Sequence, residues 1–279
     1  MSECIQQILD QAAQQLAAVS ESARLDAEVL LAKVLGKNRS YFRAFAEKIP
    51  SNAQLDQFQA LLNKRLQGHP IAHILGQREF WSLDLEVSQD TLIPRPETEL
   101  LIEFIIQSFP QDRLRVADLG TGSGAIALAL ASEKPNWHIS ATDQSQKALA
   151  VAQRNAQQLQ LKNVHFSHGS WYQALETAAY DMIVSNPPYI PDDDSHLQQG
   201  DVRFEPISAL ASGNDGLEAI RHLISHAAAH LQPQGWLILE HGYDQKAAIF
   251  QLFSEAGFHN ITQKNDYAGN ARLSAACRA

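Results

Sequence analysis

The sequence predicts an α/β fold with a mostly parallel sheet, preceded by a small helical bundle. Three observations carry this reading. From Leu114 onward, short apolar runs alternate with stretches of helical spacing. A glycine-rich turn, Gly120-Thr121-Gly122-Ser123-Gly124, falls where a strand meets a helix. The first 68 residues, by contrast, carry only the helical period.

In residues 1–68, apolar side chains recur as Ile5, Ile8, Leu9, Ala12 and Leu16, then as Leu25, Val29, Leu30 and Val34, then as Leu55, Phe58, Leu61 and Leu62. Ser20 and Ser51 are candidate N-caps, and Gly36 and Gly68 candidate stops, for four or five helices. This gives a helical domain over 1–70. Residues 80–87 alternate like a strand, and Pro94 and Pro96 then break regular structure, so 71–96 reads as a β-hairpin linker. A helix fits 100–109. Strands fit 115–119, 138–143, 164–168, 181–185 and 236–241, with helices at 125–133, 145–159, 216–229 and 245–256. Short strands near 259–263 and 271–278, around a turn at 265–270, form a closing hairpin that sets one antiparallel strand into the sheet. The α/β domain is therefore expected over 97–279.

The 279 residues are 45% hydrophobic and 19% charged, an ordinary globular balance. Net charge is −9, which argues against duplex nucleic acid as the main partner, because neutralising phosphates takes a lysine- and arginine-rich surface. Residues 1–68 hold eight basic and seven acidic side chains, so the negative excess falls on the rest. Cys4 and Cys277 form no metal-ligand cluster, and no metal is expected. The start, Met1-Ser2-Glu3-Cys4, lacks the layout of a secretion signal, and no run approaches the ~20 apolar residues of a spanning helix. The expectation is a soluble, cytoplasmic protein without a membrane partner.

The glycine turn lets backbone approach a ligand closely and exposes a helix N-terminus; alone it equally fits a dinucleotide site. Asp118 precedes it, placed to anchor loop amides or a ligand ammonium group. Asp143 ends the next strand, where a carboxylate can take both ribose hydroxyls or cap the following helix. Gly169-Ser170-Trp171 follows the third strand, and Trp171 is placed to pack on the base or the methionine portion of a ligand, or to serve as an ordinary core or surface tryptophan. The most specific signal is Asn186-Pro187-Pro188-Tyr189, directly after an apolar strand. The prolines remove two donors and fix two φ angles. What remains is a rigid acceptor surface beside an aromatic ring, suited to a planar –NH2 group. Together these features suggest a methyl donor held beside an amino group.

With these motifs the chain resembles class I S-adenosylmethionine-dependent methyltransferases with a Rossmann-like sheet. Pro94-Arg95-Pro96-Glu97-Thr98-Glu99, Gly169-Ser170-Trp171, the block from Glu205-Pro206 to Asp215-Gly216 and the helical N-terminal region narrow the resemblance to the bacterial release factor glutamine methyltransferases, the PrmC/HemK family. The resemblance implies methyl transfer to the side-chain amide nitrogen (N5) of the glutamine in the Gly-Gly-Gln motif of class I peptide chain release factors. It implies that Gly120, Thr121, Gly122, Ser123, Gly124, Asp143, Trp171 and Asn186 contact S-adenosyl-L-methionine. Asn186, Pro187, Pro188 and Tyr189 would hold the glutamine, with Asn186, Pro187 and Tyr189 as the catalytic set. One departure is Ser170, where many such enzymes carry an acid. Arg95, Glu97 and Thr98 are placed to shape either the donor's methionine end or the target channel. Glu240 and His241 fit a buried or a catalytic role, and Arg272 a structural one.

Two rivals remain open. A nucleic-acid adenine or guanine amino methyltransferase needs a basic, aromatic target surface, yet residues 191–210 hold only Arg203 against Asp192, Asp193, Asp194, Asp201 and Glu205. A non-enzymatic nucleotide-binding adaptor does not need the Asn-Pro-Pro-Tyr turn.

Overall fold

A computed structural model describes residues 3–176 and 179–279. Met1 and Ser2, part of the start read for a secretion signal, lie outside the described residues. The described chain divides into two compact units between Gly76 and Gln77.

The first unit is a helical bundle of α1 (Ile5–Leu16), α2 (Ala23–Leu35), α3 (Arg39–Ala44), α4 (Asn52–Leu66) and α5 (Ile71–Leu75). Ile5, Leu9, Leu16, Leu30, Leu31 and Leu62 fill its core, each 1% exposed or less. Ser51 caps α4 in a reciprocal box with Gln54. Ser22, not Ser20, occupies the N-cap of α2. Ser20 and Ser22 instead donate to Asp26, whose buried carboxylate also takes Arg65 Nε at 2.7 Å.

The second unit opens with an antiparallel pair, β1 (Gln77–Phe80) and β2 (Leu83–Glu86). Two parts of the expected linker are thereby corrected. Residues 71–75 form a helix, and the run 80–87 is not one strand but is broken by a turn at Trp81-Ser82. Both turn residues have positive φ, 51° and 59°, the pairing a tight hairpin twist needs but that the sequence does not announce with Asn-Gly. A loop then leads to a 3-10 turn, Pro96–Thr98, and α6 (Glu99–Ser108). Alternation follows: β3 (Arg115–Leu119), α7 (Ala125–Glu133), β4 (His138–Asp143), α8 (Gln146–Gln158), β5 (Val164–His168), β6 (Tyr180–Ser185), α9 (Glu218–Ala227), β7 (Leu231–Glu240), α10 (Lys246–Glu255), β8 (His259–Asn265) and β9 (Ala271–Cys277).

The seven-stranded sheet runs β5-β4-β3-β6-β7-β9-β8. β9 pairs antiparallel with both neighbours, and the other pairings are parallel. Alternate residues face opposite layers, as the period-2 pleat dictates. Val116, Met182 and Val184 pack with α6 and α7, while Ala117, Ile183 and Leu237 pack with α9 and α10. From β3 the chain winds outward to β5, then returns across β3 to β6. The carboxyl ends of β3 and β6 thus meet at the topological switch point, where open α/β sheets hold ligands.

Candidate active site

Gly120 follows β3 and Asn186 follows β6, so the switch point brings together two motifs 66 residues apart. Ser185 locks this arrangement by donating its hydroxyl to the Leu119 carbonyl at 2.6 Å. The glycine turn is built from below. Gly120 and Thr121 N–H groups both donate to the Thr142 carbonyl, each at 2.9 Å. Asp118 Oδ2 accepts from the Thr121 hydroxyl at 2.6 Å and from Ala127 N at 3.1 Å. Asp118 is fully buried and stands outside the cavity lining, so it anchors the loop from within. Its Oδ1 has no partner among the described residues, and burial pushes the carboxyl up to about 7.

Asp143 accepts from Gly122 N at 2.9 Å and from Ser145 N at 2.8 Å. Burial raises its carboxyl against these two donors. The N-cap of α8 is Ser145, which accepts from Ala148 N, and Asp143 sits two residues earlier, at the end of β4, with acceptor capacity on both oxygens. Gly120 is required here on two counts: its φ is +74°, and a Cβ would lie 3.2 Å from the Trp171 ring. Trp171 itself has φ 48°, a strained backbone that aims the indole at the glycine turn.

Gly120, Gly122, Asp143, Trp171, Asn186 and Pro188 line one cavity of about 310 Å³. Thr121, Ser123 and Gly124 shape the turn but do not line it. Two further wall segments come from outside the expected set, residues 89–92 and Pro206, Ser208 and Ala209. A second cavity, about 170 Å³, is lined by Arg95, Asn186, Pro187, Pro188, Tyr189 and Ile190 among others. The two share Leu92, Asn186, Pro188 and Ala209. Asn186 therefore stands where the larger cavity meets the smaller one.

The Pro94–Glu99 segment supports this junction. Thr98 Oγ1 accepts from Asn186 Nδ2 at 3.1 Å. Arg95 donates to Glu205 Oε1 at 2.5 Å, and Glu205 Oε2 accepts from Ile93 N at 3.1 Å. The Glu205 side chain is fully buried, so it is no solvated member of an acidic loop. It staples the 89–95 wall to the 191–210 wall. Glu99 Oε1 in turn accepts from Trp81 N at 2.9 Å. Sequence reasoning singled out this segment without assigning it, and it missed the wall residues, because contacts over 110 residues of separation leave no local periodicity. Behind Tyr189, Gly216 (φ +71°) must be glycine, since a Cβ would lie 2.3 Å from the Tyr189 carbonyl. Glu240 is buried at 1% exposure, and Tyr189 Oη donates to its Oε1 at 3.3 Å. His241 is fully buried between the Gly242 carbonyl and the Ser274 hydroxyl, both at 2.8 Å, and desolvation lowers its pKa. It is structural. Arg272 pairs with Asp266 in the closing hairpin.

A mostly parallel sheet with this strand order, a glycine turn over an acid-tipped second strand, and Asn-Pro-Pro-Tyr at the switch point define a class I methyltransferase. Residues 7–76 match the family described as the PrmC N-terminal domain, and residues 96–201 match the methyltransferase small domain. The release factor glutamine methyltransferase of Coxiella burnetii is 53% identical over 266 residues, 95% of each chain. The Escherichia coli K12 enzyme of the same name is 50% identical, covering 91% of this chain and 92% of its own. The fold is shared with a methyltransferase from Pyrococcus furiosus, at a TM-score of 0.55 and 20% identity, covering 79% of this chain and 98% of that one. The chain belongs to the release factor glutamine methyltransferase family. No helix among the described residues is long and apolar enough to cross a membrane.

Proposed function

We infer that this protein transfers a methyl group from S-adenosyl-L-methionine to the side-chain amide nitrogen of the glutamine in the Gly-Gly-Gln motif of class I peptide chain release factors. The observation that carries the reading is the junction at Asn186. Its Nδ2 is engaged by Thr98, which leaves Oδ1 as the acceptor for an incoming amide.

The larger cavity suits the donor. Asp143 offers acceptors for ribose hydroxyls, and Trp171, Leu92 and Ala148 offer apolar surface for a base. The bound donor supplies a methyl group made electrophilic by a sulfonium. An amide nitrogen is a poor nucleophile, because its lone pair is delocalised into the carbonyl. Asn186 Oδ1 and the Pro187 carbonyl accept its two hydrogens, which turns the lone-pair direction toward the larger cavity. The same acceptors stabilise positive charge developing on nitrogen. Tyr189 packs over the amide plane, and positioning of this kind supplies up to roughly 7–11 kcal/mol in ideal cases. One amide proton leaves after transfer, to water or a carbonyl.

Asn186 is neutral for a reason. An aspartate there would add full negative charge beside the sulfonium and stabilise the bound donor before transfer. In this reading the helical unit grips a part of the release factor distant from its glutamine.

Incubation with labelled S-adenosylmethionine, purified release factor, tRNA and DNA tests the reading. Label in the Gly-Gly-Gln peptide is expected. Label confined to nucleic acid would establish the amino-methyltransferase rival instead.

A further inference from the structure

We propose that Thr98 and Glu240 are positioning residues that hold the Asn186 carboxamide with its oxygen toward the channel and its nitrogen toward the protein. The proposal rests on the glutamine reading and deepens it.

A carboxamide has two orientations of nearly the same shape, exchanged by a half-turn. Only hydrogen bonding selects between them. In one, Oδ1 faces the channel and receives a substrate –NH2. In the other, Nδ2 faces the channel and two donors oppose each other. Thr98 Oγ1 makes the choice by accepting from Nδ2 at 3.1 Å. Thr98 is 3% exposed, so no water competes for that lone pair.

A threonine that accepts must send its own proton elsewhere. The carboxylate whose ionised form Thr98 favours is Glu240, at the end of β7. Glu240 also receives the Tyr189 hydroxyl. Both ends of the Asn186–Tyr189 turn thus converge on one buried carboxylate, one through Thr98 and one directly. Glu240 Oε2 has no partner among the described residues. The charged neighbours are Arg272 from β9 and Glu97 from the 3-10 turn, and the adjoining His241 is held by Gly242 and Ser274.

Ionised Glu240 only accepts, which keeps the Thr98 lone pair free for Asn186. Protonated Glu240 can donate to Thr98 Oγ1, and Thr98 then turns its own proton toward Asn186, where it opposes Nδ2. Burial pushes the Glu240 carboxyl up to about 7, with Thr98 and Arg272 opposing that rise. Transfer to the amide should therefore climb with pH through neutrality.

The test compares Thr98→Val, Thr98→Ser and Glu240→Gln in the full chain, with release factor as acceptor and calorimetry for the S-adenosylmethionine Kd. Thr98→Val keeps the shape and loses the hydroxyl. It should lower kcat/KM for release factor at least thirtyfold, with donor Kd within threefold of wild type. Thr98→Ser should recover to within threefold. Wild-type turnover in Thr98→Val, an equal loss in Thr98→Ser, or a tenfold weaker donor Kd overturns the assignment. The second readout stands even where Thr98→Val folds poorly. At saturating donor, wild-type kcat should rise between pH 6 and 8, and Glu240→Gln should flatten that rise. A limb unchanged in Glu240→Gln contradicts the proposal. Release factor left unlabelled by wild type would sink the glutamine reading and this proposal together, whereas a labelled substrate with insensitive variants sinks the positioning role alone.

Discussion

Arg95 donates to Glu205 at 2.5 Å across 110 residues of chain, and the two partners are unequally buried: Arg95 keeps 29% of its side-chain exposure and Glu205 none. Removing each should therefore have different consequences. Glu205→Gln leaves a partly solvated cation, which water can serve. Arg95→Ala strands a buried carboxylate that keeps the Ile93 amide as a donor but loses its cation. Arg95→Ala should cost about 1–3 kcal/mol at pH 8, less than a fully buried pair would, because Arg95 is partly solvated. The deficit should shrink toward pH 5 as Glu205, already raised by burial, takes up a proton. Denaturant midpoints of both variants at the two pH values check this.

Asp118 gives a second pH-dependent expectation. Its folded pKa is about 7 against an ordinary 3.8, so the folded state binds more protons between those values. The contribution to stability is then fully present below about 3.8 and lost as pH rises through about 7. Asp118→Asn cannot titrate and keeps an oxygen for Thr121 and Ala127. Relative to wild type, the variant should gain on the order of 3 kcal/mol between pH 5 and pH 8. Parallel stability curves would contradict the placement of that carboxyl.

Gly216 and Gly36 separate backbone strain from collision. Their φ values are +71° and +60°, but a Cβ at Gly216 meets the Tyr189 carbonyl at 2.3 Å while one at Gly36 meets nothing within 4 Å. Gly36→Ala should cost about 1 kcal/mol. Gly216→Ala should cost at least about 2 kcal/mol more and also depress methyl transfer, since the turn holding Tyr189 must move. Thermal melts and turnover of the two variants decide it.

Much of this was legible in the sequence, for physical reasons. Parallel strands buried on both faces read as apolar runs, as 182–184 does and 116–119 does apart from Asp118. Gly120 and Asn186 stood out because a glycine-rich turn and an Asn-Pro-Pro run are residue types that strand ends do not otherwise favour. Thr98 and Glu205 were visible as letters but not as functions: one accepts from a side chain 88 residues away, the other pairs over 110. Glu205 also lies in an acidic stretch, and nothing local distinguishes a buried acid from its solvated neighbours. The Trp81-Ser82 turn hid because its left-handed residues are not the usual glycine or asparagine.

The central claim is that Asn186 presents the acceptor that aligns the amide with the donor. Asn186→Ala, assayed for methylation of purified release factor alongside S-adenosylmethionine binding, tests it most directly. The account predicts that transfer falls about a hundred- to a thousandfold, roughly the loss seen when one preorganised hydrogen-bonding group is removed, while donor binding remains measurable. Wild-type turnover in that variant would contradict it.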